Sequence, residues 1–136
     1  MNRTDSREAA FIIAFEKSFL QDEPTKEIIA DAEEMCDFKV GEYTYALLQA
    51  MEDHAEAIDT VIAPHLRGWA MARLDSVSRT ILRLATAEML YCATPAGVVI
   101  NEAVDLAKNY GNSEEYAFVN GVLSSVLKEH KDEVTH

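Results

Sequence analysis

Apolar positions recur at helical spacing in seven stretches of the chain, and residues that cap or break helices separate them. Ile12, Phe15 and Phe19 fall three and four apart with Phe11 beside them, which places them on one helix face. Thr4 or Asp5 would cap that helix, and Glu8 stands three residues beyond Asp5 as in a capping box. Gln21 to Pro24 break it. Pro24 suits a first helical turn, after which Ile28, Ile29, Ala32 and Met35 form a second apolar face opposite Glu27, Asp31, Glu33 and Glu34. Gly41 precedes a third segment with Tyr45, Leu48, Met51 and Ala55 in register. A fourth holds Ile58, Val61 and Ile62 before Pro64. The stretch from Trp69 to Leu74 has no clear register.

Ser76 is placed to cap a fifth helix. Its stripe of Val77, Ile81, Leu84 and Ala85 is widened by Leu82 and Met89, and a helix this apolar belongs at the centre. Thr94-Pro95 ends it and opens a sixth, with Val99, Ala103, Leu106 and Tyr110 in line. Gly111 reads as a left-handed stop. Asn112 or Ser113 caps a seventh, whose inward face is Val119, Val122, Leu123 and Val126; beyond Lys128 the tail is polar and expected to fray. The pattern predicts an all-α protein, a bundle of about seven helices in one domain, with subdomains near 1–75 and 76–130.

Composition agrees. Of 136 residues, 49% are hydrophobic and 26% charged, with 5 Gly and 3 Pro. That is globular, and too poor in turn residues for a many-stranded sandwich or barrel. Cys36 and Cys92 form no CxxC and read as reduced thiols. No run approaches the roughly 18 apolar residues that would span a bilayer, and the polar start lacks a signal-peptide core. The expectation is a cytoplasmic protein with no membrane role.

Charge changes the picture more. Net charge is −12. Residues 21–60 hold two basic and twelve acidic groups, −10, whereas residues 61–90 hold four basic and two acidic, +2. An acidic surface repels phosphate, so nucleic acid would have to be held by a local patch. The acidic segment would attract a basic protein partner or simply be solvated.

Catalytic and cofactor motifs are missing. The four histidines make no HExxH, and there is no GxSxG, no Walker A loop and no GxGxxG. Clusters such as Glu33-Glu34 and Glu114-Glu115 read as solvated charge. No enzyme activity, metal or cofactor is expected.

Three segments together carry a resemblance. They are ILRLA at 81–85 followed by EMLY at 88–91; VVINEAVDLAK at 98–108 closing on Tyr110-Gly111; and FVNGVL at 118–123. Their order and spacing resemble the NusB family of bacterial transcription antitermination factors across residues 79–127. Ser6-Arg7-Glu8-Ala9 adds a weaker match over residues 5–19. The resemblance implies an all-helical fold of two small subdomains. It also implies partnership with NusE, a small-subunit ribosomal protein, on single-stranded boxA RNA. Such a pair would act within an RNA polymerase antitermination complex that supports ribosomal RNA synthesis. Some members self-associate, which would give a homodimer.

The family's arginine-rich start of the first helix is reduced here to Arg3 and Arg7, with Asp5 and Glu8 nearby. Positions where the family often carries a basic residue are Gly97 and Ala117. For each phosphate left without its cation, the salt dependence of RNA binding flattens by about one unit. The alternative function is therefore an acidic interaction module that keeps the fold without RNA binding; a further one is the NusB-like domain of RNA cytosine methyltransferases.

The RNA-binding candidates are Arg3, Arg7, Arg79 and Tyr116, and the partner-binding candidates are Phe15 and Arg83. Arg7 would otherwise pair with Glu8 or Asp5 at the surface, Arg79 and Arg83 would make internal ion pairs, and Phe15 would pack in the core. Asn101, Glu102 and Asn120 are polar positions in apolar helices, expected to link helices by buried hydrogen bonds. Gly121 is expected at a close helix–helix approach.

Overall fold

The structure, a computed structural model, describes residues 2–36 and 39–135, without the Cys36 side chain; the expectation for that thiol lies outside the described residues. Among them are seven α-helices: α1 (Arg3–Phe19), α2 (Thr25–Cys36), α3 (Glu42–Asp53), α4 (Ala55–Ile62), α5 (Ser76–Tyr91), α6 (Ala96–Tyr110) and α7 (Ser113–Glu129). Single 3-10 turns at Ala63–His65 and Met71–Arg73 connect α4 to α5.

The fifth helix is central, as its pattern requires. From Thr80 to Met89 every residue except Arg83 is buried, and α1, α3, α4, α6 and α7 all pack on it. Ile13, Leu47 and Ile62 from the first half join Ile81, Leu82 and Leu123 from the second in one cluster, so the core runs across the expected subdomain boundary.

Several local expectations are corrected. The cap of α1 is Asn2, whose Oδ1 accepts from the Asp5 N–H at 2.8 Å. Asp75, not Ser76, caps α5 by accepting from the N–H groups of Val77 and Ser78; a carboxylate two and three residues upstream satisfies two orphan donors. On α1 the buried face is Ala9, Ala10, Phe11 and Ile13, while Phe15 is half-buried and Phe19 exposed. Gly111 has φ −119° and is not left-handed. Its reason is space, since a Cβ there would sit 2.9 Å from the Ala107 carbonyl oxygen and closer still to Glu115. The tail folds back: Val134 is buried, and the Ala96 N–H donates to the Thr135 oxygen at 2.7 Å. One apolar residue and one backbone bond anchor a tail whose sequence is otherwise polar.

Candidate nucleic-acid interface

The start of α1 is held by a polar network inside the bundle. Arg7 is 5% exposed. Its Nε donates to both oxygens of Glu88 at 2.9 Å, and its Nη1 to Glu102 Oε1 at 2.9 Å. Thr4 adds a hydrogen bond to the same Glu102 oxygen at 2.6 Å. Tyr43 donates its hydroxyl to Glu88 and shares a 2.6 Å hydrogen bond with Thr94. Burial works against the Arg7 charge, but the Glu88 hydrogen bond and the two carboxylates outweigh it and raise the guanidinium pKa. The Tyr43 phenol is pushed up by burial and by Glu88, so it stays a donor.

Arg7 thus sits inside the bundle and not at the open surface where a phosphate contact was expected. Its partners are two interior carboxylates from α5 and α6, not Asp5 or Glu8, and its Nε and Nη1 donors are already engaged. Pairing with Glu88 could not be read from the sequence, because the two lie 81 positions apart. Glu102 does join α6 to α1 through Arg7 and Thr4.

The other candidates separate. Arg3 is exposed and lies over the Tyr43 ring, its Cζ 3.6 Å from the centroid. Arg79 bonds the carbonyls of Met71 and Leu74 and the Ser76 hydroxyl, which fastens the loop ahead of α5. Arg83 makes a two-pronged ion pair with Asp59 on α4, at 2.8 and 2.9 Å, in a half-exposed setting. Both side chains are thus committed to internal partners. Phe15 packs against Phe11 and Phe19, and Phe11 in turn meets Tyr110 of α6. Tyr116 is half-buried beneath Lys108, whose Nζ is 5.2 Å from its ring centre.

Asn101 and Asn120 are exposed, which corrects their reading as buried links. Each falls on the solvent side of its helix, so its amide is free to meet another molecule. Gly121 is a close approach, but to a side chain: a Cβ there would sit 2.9 Å from Arg67 Nη2.

That arginine belongs to a surface that no sequence motif marks. Between the two 3-10 turns the backbone reverses through positive φ at Arg67 (54°) and Gly68 (90°). The reversal presents Arg67, Trp69 and Arg73 to solvent. Trp69 is 59% exposed. Neither Arg67 nor Arg73 makes an ion pair with a described residue, unlike Arg7 and Arg83. Trp69, Arg73 and Phe118 line a cleft of about 360 Å³ between this loop and the start of α7. Asp75, Glu114 and Glu115 line the same cleft. Burial, reinforced by Asp75, raises the Glu115 carboxyl pKa. An exposed indole flanked by unpaired guanidiniums offers a stacking face and phosphate donors together. The available sequence signal is the +2 segment and the lone tryptophan in a stretch without register.

This is an all-helical scaffold with an exposed aromatic edge where arginines stand beside the carboxylates of Asp75, Glu114 and Glu115. The NusB family model matches residues 4–128, and the chain belongs to that family. The transcription antitermination protein NusB of Staphylococcus haemolyticus is 40% identical over 130 residues, covering 93% of this chain and 99% of that protein. The solved NusB of T. maritima superposes with a TM-score of 0.87 at 34% identity, over 98% of this chain and 96% of the other. A crystal structure of the antitermination factors NusB and NusE in complex with dsRNA matches at TM-score 0.84 and 32% identity, over 93% and 96%. The family is one of transcription antitermination factors. No described helix is long and apolar enough to cross a membrane.

Proposed function

We propose that the chain is an RNA-binding antitermination factor that pairs with a NusE-type ribosomal protein on single-stranded boxA RNA and supports ribosomal RNA transcription in the cytoplasm. It acts by binding and not by catalysis. The observation that carries the reading is the Arg67–Trp69–Arg73 edge beside Phe118, which presents unpaired positive charge in a chain of net charge −12. A base stacks on the indole or the Phe118 ring while the guanidiniums hold phosphates. Asn120, exposed on the same helix as Phe118, offers an amide to a base edge. Arg3 supplies a second contact at the start of α1.

Affinity is modest alone, because the acidic body opposes RNA and Arg7 is engaged internally. A partner that adds phosphate contacts raises it. The test is fluorescence anisotropy of labelled boxA-type RNA with and without NusE, at two salt concentrations. Salt-sensitive binding strengthened by NusE is expected; retention no better than that of a scrambled RNA contradicts it.

A second reading keeps the fold as an interaction module for a basic partner. It is favoured by α2, where Glu27, Asp31 and Glu34 are exposed and Met35 is 84% exposed. Partner capture weakened by salt, with no effect of RNA, is its signature. Unchanged capture after neutralising Glu27, Asp31 and Glu34 contradicts it.

A further inference from the structure

Arg3 and Arg7 begin the same helix, one turn apart, and use their guanidiniums differently. Arg7 directs its N–H edge at Glu88 and Glu102. Arg3 lays its flat face on the Tyr43 ring, 3.6 Å from the centroid, and makes no ion pair with a described residue. Stacking engages the face of a guanidinium and leaves its five N–H donors outward. A stacked arginine is thus a phosphate ligand already set in place. An exposed arginine would otherwise sample many rotamers and lose that freedom on binding.

Tyr43 is itself fixed. Its hydroxyl is held between buried Glu88 and Thr94, and Glu88 is held by Arg7. The chain of contacts runs from the interior pair, through the phenol, to the exposed arginine. We infer that Tyr43 is a positioning residue for RNA binding, holding Arg3 with its N–H groups turned outward. The inference rests on the RNA-binding reading and deepens it. A cation–π contact at an exposed site biases the arginine toward one pose by roughly two- to fivefold.

The test is a double-variant cycle on the full chain with NusE and boxA-type RNA, read by anisotropy across a salt series. R3A should weaken binding about threefold to tenfold and flatten the salt slope by about 0.7, the value of one phosphate contact on a single strand. Y43L should weaken binding by about twofold to fivefold, no more than R3A, and R3A/Y43L should be no weaker than R3A alone. Y43F keeps the ring and should restore most of the affinity. In NMR spectra without RNA, the Arg3 Cδ protons should be shifted upfield by the ring in wild type and Y43F, and lose that shift in Y43L. Were Y43L not to fold, R3A and the Arg3 signals of Y43F would decide.

R3A within twofold of wild type, while W69A loses RNA, overturns the role of Arg3 and leaves the RNA-binding reading standing. Losses in R3A and Y43L that simply multiply in the double variant overturn the coupling. Wild type that cannot distinguish boxA from a scrambled RNA overturns both.

Discussion

Arg7 and Arg73 are the same side chain in the same acidic molecule, and the fold gives them opposite roles. Arg7 is enclosed by Glu88 and Glu102 and ties α1 to α5 and α6. Arg73 stands on a loop beside Trp69 with no carboxylate paired to it among the described residues. Counter-charge, more than position in the sequence, decides which arginine is open to a phosphate. An arginine whose N–H groups are saturated inside the protein holds the fold, and one whose N–H groups face water is available to a phosphate.

Breaking the interior region should have the largest effect. R7M leaves Glu88, 1% exposed, without its main partner, and removing one member of a buried pair costs about 3–5 kcal/mol. Urea unfolding should show the midpoint falling, and R7M/E88L should recover part of the loss. Stability unchanged in R7M would erase the contrast. At the loop, W69A should leave the unfolding midpoint nearly unmoved and weaken RNA binding by about 1–3 kcal/mol, the worth of one stacked base.

Smaller effects sharpen the comparison. G121A replaces a glycine inside α7, which favours the helix by up to about 1 kcal/mol. Only the flexible tip of Arg67 must move, so the variant should be neutral or stabilised while RNA affinity drops. Strong destabilisation would show that Gly121 faces something rigid. R83A removes a pair whose side chains are 35% and 38% exposed, and should cost no more than about 1 kcal/mol.

Glu115 supplies a pH test. Burial and Asp75 raise its carboxyl pKa in the folded state, so the folded form binds the proton more tightly than the unfolded one. Its contribution is present at low pH and lost as pH rises through the raised value. E115Q should therefore be slightly more stable than wild type at pH 7, with the difference closing as the pH falls toward the ordinary carboxylate range.

Much of the fold is legible in the sequence because helix period and cap residues are local signals. Val119, Val122, Leu123 and Val126 share one helical face by spacing, and all are buried. Asp75 is hard to pick as the cap because Ser76 beside it is equally suited by type. The docking of Val134 leaves no mark because a single apolar residue in a polar tail has no period. The site is less legible. Whether an arginine is free depends on carboxylates dozens of positions away, as with Arg83 and Asp59, 24 apart. Asn101 and Asn120 look interior because their neighbours are apolar, yet one residue along a helix turns a side chain by about 100°. Trp69 lies in the stretch without register, and the reversal at Arg67 and Gly68 is what exposes it.

The most direct test of the contrast is the salt dependence of boxA-type RNA binding, with NusE present, in wild type and in R67A/R73A. If these two loop arginines hold phosphates, the slope of log affinity against log salt should flatten by about 1.4, twice the single-strand value of one contact, with the unfolding midpoint unchanged. An unchanged slope in a folded R67A/R73A protein would contradict the account and return the RNA-binding role to the start of α1.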